Sequence, residues 1–224
     1  MEGVFSFMNI TDYICSLDPS LTIHNEGEWS HTHSNYSAFN DAGVEIETGE
    51  FLYSLIRILK PSNVLETGTH WGIGSSYMGM ALKDNGSGHL DTVEFIPEIY
   101  NVALKRIIKL GLAENVQCHL MDVANFEPNK VYQFVLLDTE PQTRFAEFVK
   151  FYEFVAPGGF IFIHDLHRHM HQIDVPQHDF AWPYGPVPFE MKRLYANGQI
   201  RPIHFSTPRG LTGFYKVHPE DYKW

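Results

Sequence analysis

The chain has 224 residues, of which 44% are hydrophobic and 14% aromatic, and its formal net charge is −11. That content buries a sizeable core, and α/β chains of this length often fold as one unit, so residues 1–224 are expected to form a single domain. The acidic balance opposes a nucleic-acid backbone or an anionic membrane as partner, since no dense Lys/Arg run overrides it. Cys15 and Cys118 lie far apart and imply plain thiols rather than a disulfide framework. The N-terminal stretch lacks a basic n-region and no segment approaches the ~20 apolar residues that span a bilayer, so a cytoplasmic protein is expected.

From residue 45 to 165, strand-like and helix-like stretches alternate, the pattern of a parallel sheet covered by helices. Phe51, Leu52, Leu55, Ile56 and Leu59 recur at helical spacing before Pro61 ends the helix. Asn63, Val64 and Leu65 then read as a central strand, and Gly68, Gly72 and Gly74 as a tight turn entering a helix over 75–82. The loop Asn85-Gly86-Ser87-Gly88 breaks that helix. Residues 89–94 form the second strand, 99–110 a helix, 116–121 the third strand and 134–137 the fourth. A helix over 145–155 precedes the Pro157-Gly158-Gly159 turn and a fifth strand over 160–163. Beyond residue 166 the chain is rich in His, Pro and aromatic residues, and 200–205 and 213–217 read as a closing pair of strands.

The turn after the first strand is spaced Gly-x-x-x-Gly-x-Gly with Glu66 just before it, whereas a dinucleotide fingerprint needs Gly-x-Gly-x-x-Gly. A small nucleotide-like ligand is expected there, but not NAD or FAD. The stretch resembles the first motif of class I S-adenosylmethionine-dependent methyltransferases. That resemblance implies a Rossmann-like methyltransferase fold, a mostly parallel seven-stranded sheet with helices on both faces. It implies a cofactor-binding core over 45–165, an N-terminal lid or acceptor segment over 1–44, and an acceptor loop with closing strands over 166–224. It further implies that S-adenosylmethionine contacts Glu66, Gly68, Thr69, Gly72, Ser75, Glu94, Asp122, Val123 and Asp138, with Glu94 on the ribose hydroxyls and Asp122 near the adenine amino group.

Val135-Leu136-Leu137-Asp138 and Pro157-Gly-Gly-Phe-Ile-Phe-Ile-His164-Asp165 resemble the macrocin and catechol type of O-methyltransferase, in which acids end strands four and five. The Gly-x-His that often follows the first acid is replaced by Thr139-Glu140-Pro141. Adjacent strands sit ~4.8 Å apart, so Asp138 and Asp165 are expected to face one pocket. Two routes to acceptor activation stay open. In one, Asp138, Asp165 and His167 hold Mg²⁺ or Mn²⁺, although Leu166 stands where the related patterns place a further ligand. In the other, His164 or His167 is a general base oriented by a carboxylate. The implied reaction is methylation of a hydroxyl on a small molecule or a glycan. The rivals are a catalytically silent S-adenosylmethionine-binding protein and, further off, an NAD-dependent oxidoreductase.

Thirteen histidines are present, five of them in the run His164, His167, His169, His171 and His178. His31 and His33 alternate like same-face strand residues near the pocket mouth. Trp71, Trp182, Tyr184 and Phe189 are candidates to stack on an acceptor.

Overall fold

In the computed structural model of the chain, the residues described are 8–29, 34–39, 43–166, 180–181 and 185–221. His31, His33, His167, His169, His171, His178, Trp182 and Tyr184 lie outside them. A helix and a two-stranded hairpin precede the expected core. Helix α1 (Ile10–Leu17) is capped by Asn9, whose Oδ1 accepts from the Asp12 N–H at 2.7 Å. Strands β1 (Ile23–Trp29) and β2 (Ser34–Phe39) form an antiparallel hairpin.

The main sheet is built from β3 (Asn63–Thr67), β4 (His89–Glu94), β5 (Val116–Leu120), β6 (Tyr132–Leu137), β7 (Val155–His164), β10 (Ile200–Phe205) and β11 (Leu211–Lys216). Two short strands, β8 (Phe180–Ala181) and β9 (Gly185–Pro186), pair apart from it. The order across the main sheet is β5-β4-β3-β6-β7-β11-β10. The five strands from β5 to β7 pair in parallel, while β11 pairs antiparallel with both β7 and β10. The expected seven-stranded, mostly parallel sheet is therefore observed.

Helices α2 (Ile46–Leu59), α3 (Ile73–Asn85), α4 (Pro97–Lys109), α5 (Pro141–Tyr152) and α6 (Phe189–Ala196) cover it. Alternation along the strands assigns them to two faces. Val64, Phe134 and Leu136 join a cluster with Leu52, Ile56, Tyr77 and Ile107 of α2, α3 and α4. Their neighbours Leu65, Val135 and Leu137 join Phe145 and Phe148 of α5 and Met191 of α6. Strands buried on both faces need apolar residues at consecutive positions, which is why Phe134–Leu137 reads as one unbroken apolar run.

Several boundaries differ from the sequence expectation. α2 begins at Ile46, five residues before Phe51, and passes through Gly49, where a Cβ would collide with the Tyr77 ring. This glycine marks close packing of α2 on α3 rather than a break. α5 starts at Pro141 and ends at Tyr152, because proline is pre-organised for a first helical turn. The Pro157-Gly158-Gly159 stretch lies within β7, where the register against β6 jumps between the Tyr132↔Val155 and Phe134↔Phe160 pairs. Among the described residues no helix is long and apolar enough to cross a membrane.

β3 and β6 meet at their carboxyl ends, where the Asp138 N–H donates to the Thr67 carbonyl at 3.0 Å. Gly68 takes φ +81°, and a Cβ there would run into the Asp138 carbonyl oxygen. Only glycine satisfies both the left-handed turn and this approach. Gly68→Ala is expected to lower unfolding stability by about 2–5 kcal/mol, the sum of backbone strain and overpacking. Urea denaturation checks this, and a loss below about 0.5 kcal/mol would show that the two strand ends move apart freely.

Candidate functional site

Strand order reverses between β3 and β6, and in an open α/β sheet ligands bind beyond the carboxyl ends at that point. A cavity of about 860 Å³ opens there. Its walls are Gly68 and His70 after β3, Val93 to Ile96 at the end of β4, Asp122 to Ala124 after β5, and Asp138 to Pro141 after β6. α5 contributes Thr143, Arg144 and Glu147, while Gly43, Asp165 and Arg209 close the far end.

At the β4 side, Glu94 is buried and fixed by backbone donors. Its Oε1 accepts from the N–H groups of Phe95 at 3.0 Å and Ile96 at 2.9 Å, and its Oε2 from His70 N–H at 2.9 Å. These bonds hold the carboxylate in place while leaving acceptor capacity toward the cavity. Asp122 caps the short helical turn after β5, accepting from the Ala124 N–H at 2.8 Å.

Glu66 does not reach the cavity wall. It is buried beneath the glycine turn, where its Oε2 accepts from the Ser75 hydroxyl and from the Thr92 hydroxyl at 2.6 Å. Thr69 in turn meets the Thr92 hydroxyl at 2.6 Å. Burial, opposed by these hydroxyl bonds, pushes the Glu66 carboxyl up to about 8. Of the residues expected to touch a cofactor, Gly68, Glu94, Asp122, Val123 and Asp138 line the cavity. Glu66, Thr69, Gly72 and Ser75 are not among its lining residues; Glu66, Thr69 and Ser75 form the buried polar knot behind the turn, and Gly72 packs against Ala103.

At the opposite end, Asp138 and Asp165 do converge, but on protein cations. Arg144, in the first turn of α5, donates from Nη2 to Asp138 Oδ1 at 3.0 Å and from Nη1 to Asp165 Oδ2 at 3.2 Å. His164 is fully buried, with Nδ1 at 2.9 Å from Asp138 Oδ1 and Nε2 at 2.9 Å from Glu45 Oε2. Arg209, from the β10–β11 turn, donates from Nη2 to Asp165 Oδ2 at 2.9 Å. Its Nε pairs with Asp165 Oδ1 at 2.8 Å and with Glu45 Oε1 at 3.2 Å.

Burial would pull the His164 pKa down, but Asp138, Asp165 and Glu45 outweigh it and push it up to about 10. The ring is therefore an imidazolium with both N–H groups aimed at carboxylates, which has no lone pair to offer as a general base. Conversely, burial would raise the Asp165 carboxyl, yet His164, Arg144 and Arg209 hold it down at about 2.

Glu45, His164 and Asp165 bring one ligand atom each within 4.8 Å of one another. A divalent ion does not fit these residues as they stand. Both ring nitrogens of His164 are taken, Asp165 accepts from two guanidinium groups, and Leu166 is core. Sequence reasoning missed Glu45, Arg144 and Arg209. Nothing local to them signals the site, since each reaches it through tertiary folding; the one hint is Arg144, placed six residues after Asp138.

The sheet order and the crevice define the Rossmann-like methyltransferase fold. Residues 65–166, a little under half of the chain, match the family described as a methyltransferase domain. It is 31% identical over 112 residues to a catechol O-methyltransferase of Niastella koreensis, which spans 46% of this chain and 50% of that protein. The chain thus spans about half the length of that relative. Among solved structures, the O-methyltransferase TomG from Streptomyces achromogenes, in complex with SAM, superposes with a TM-score of 0.64 at 20% identity, covering 80% of this chain and 83% of that one. An SAH-bound methyltransferase from Podospora anserina gives 0.60 at 13% identity over 93% and 94%.

The charge cluster has a pH signature. Because the His164 pKa is raised from 6.5 to about 10, its stabilisation is fully present below pH ~6.5 and is lost as pH rises through about 10. Asp165, lowered from 3.8 to about 2, stabilises above pH ~4 and stops doing so as pH falls through about 2. Denaturant unfolding between pH 7 and 10 should show falling stability in the wild type and a shallower fall in His164→Asn. Equal slopes would mean that His164 is neutral in the folded chain.

Proposed function

We propose that the chain is an S-adenosylmethionine-dependent O-methyltransferase acting on a hydroxyl of a small molecule or a sugar. The observation that carries this reading is the Glu94 carboxylate, anchored by three backbone N–H groups at the wall of the cavity. An acid at the end of the strand beside the glycine turn is suited to accept from two vicinal ribose hydroxyls. Phe95, Ile96 and Val123 offer apolar walls for a base, Asp122 an acceptor for its amino group, and Gly68 lets the backbone come close. The described residues therefore fit the cofactor. When bound, S-adenosylmethionine supplies an electrophilic methyl group to an acceptor oxygen.

The chain's own work is to hold that oxygen in place and to stabilise charge as it develops. Asp138, between the nucleotide half and the acidic end, is assigned to the boundary of the two, and Asp165 and Arg209 to the acceptor wall. The rest of that wall is assigned to the segments before residue 45 and after residue 165, of which Gly43 and Arg209 line the cavity's far end. The acidic balance suits a diffusible acceptor rather than a nucleic-acid partner.

Calorimetry with S-adenosylmethionine tests the binding half of this reading, and release of S-adenosylhomocysteine across a panel of phenols and sugars tests the transfer half. Glu94→Ala is expected to weaken cofactor binding by about 30- to 150-fold, from roughly 2–3 kcal/mol for a lost charged acceptor. An unchanged dissociation constant in that variant would remove Glu94 from the ribose site. Binding without turnover on any hydroxyl would favour a catalytically silent cofactor-binding protein.

A further inference from the structure

We infer that the acceptor end of the cavity works without a divalent metal, because Arg209, backed by Arg144, already occupies the cation position among Glu45, Asp138 and Asp165. This inference takes its functional meaning from the methyl-transfer reading, but the arrangement it rests on is independent of any cofactor. Three carboxylates converge there, and two guanidinium groups, Arg144 and Arg209, with the His164 ring stand against them. Asp138 and Asp165 are each met by a guanidinium, and Glu45 by the Arg209 Nε, so every carboxylate of the set already faces a protein cation.

Arg209 is the member of this set placed to meet a ligand. Its Nε lies between two acids, at 2.8 Å from Asp165 Oδ1 and 3.2 Å from Glu45 Oε1, and its Nη1 donates to the Gly43 carbonyl at 3.0 Å. Its side chain keeps 24% of its surface accessible and lines the cavity, whereas Arg144 is almost fully covered. A planar guanidinium fork matches carboxylates at fixed geometry and stays charged at any working pH. Burial works against that charge on Arg209, and Asp165, Glu45 and Asp138 more than offset it.

A hard dication entering between Glu45 and Asp165 would have to displace this guanidinium or stand against it. The acceptor is then read by hydrogen bonding to a guanidinium and a carboxylate. It needs no pair of adjacent oxygens to chelate an ion, so isolated hydroxyls qualify as well as vicinal diols.

Titration of the full chain with Mn²⁺ alone, followed by electron paramagnetic resonance, tests this. The wild type is expected to bind no Mn²⁺ more tightly than about 1 mM. Arg209→Met uncovers Glu45 and Asp165, whose ligand atoms already lie within 4.8 Å of each other and of His164, and should bind Mn²⁺ at least about tenfold more tightly. Arg209→Lys, which keeps the charge, should behave like the wild type, and thermal melts establish that each variant is folded. The proposal is overturned if the wild type binds one Mn²⁺ at micromolar concentration and Asp165→Asn abolishes it. It is overturned equally if folded Arg209→Met binds no better than the wild type. Calorimetry with S-adenosylmethionine on the same samples keeps the two readings apart, since absent cofactor binding would sink methyl transfer while leaving the Mn²⁺ result standing.

Discussion

Three carboxylates, one buried and two largely covered, converge at one point of the sheet and set the terms for the rest of the molecule. Isolated buried charge is too costly to keep, so Glu45, Asp138 and Asp165 must each find a cation. The cations come from three places: His164 at the end of β7, Arg144 in the first turn of α5 and Arg209 in the last hairpin. Segments as distant as Glu45 and Arg209 are thereby tied to one site, and removing one member would leave another charge unpaired. Asp165 itself sits at φ 59°, a left-handed conformation uncommon for a residue other than glycine, in the grip of two guanidinium groups.

This charged knot divides the cavity. On one side lie the ends of β3, β4 and β5, with the glycine turn and Glu94; on the other lies the charge cluster with Gly43 and Arg209. Glu147 of α5 joins the halves. Its Oε2 accepts from the Thr67 hydroxyl at 2.6 Å, and its Oε1 from the hydroxyls of Thr139 and of Thr143, the latter at 2.9 Å. The end of β3, the loop after β6 and α5 are therefore tied into one wall. A second brace comes from the N-terminal side, where Asp18 pairs with Arg106 and Lys109 of α4 while Arg106 also donates to the Trp71 carbonyl. The glycine turn is thus held from above by α4 as well as from beneath by the Glu66 knot.

Much of this architecture is visible in the sequence because its physics is local. A parallel strand buried on both faces reads as a short apolar run, and Phe134–Leu137 and Phe160–Ile163 are such runs, while Val64 and Leu65 give a shorter one between Pro61 and the glycine turn. Acids at strand ends, Glu94, Asp138 and Asp165, are legible for the same reason, since they fall at the carboxyl edge where ligands bind. Roles that depend on distant partners are not legible. Glu66 has the position of a cofactor contact, yet Ser75 and Thr92 turn its carboxylate inward. His164 has the residue type of a base, yet Glu45, 119 positions away in the chain, converts it to a fixed cation. Arg209 stands alone in a turn, and only the pairing of β11 against β7 carries it to Asp165. Gly49 looks like a helix breaker until the Tyr77 ring explains it.

The most direct test of this account is a crystal structure of the chain with S-adenosylhomocysteine. The account predicts ribose hydroxyls on the Glu94 carboxylate, the base between Ile96 and Val123, and the sulfur turned toward the Asp138 side of the cavity. A nucleoside bound elsewhere, or bound in this cavity with Glu94 untouched and the sulfur directed away from Asp138, would contradict it.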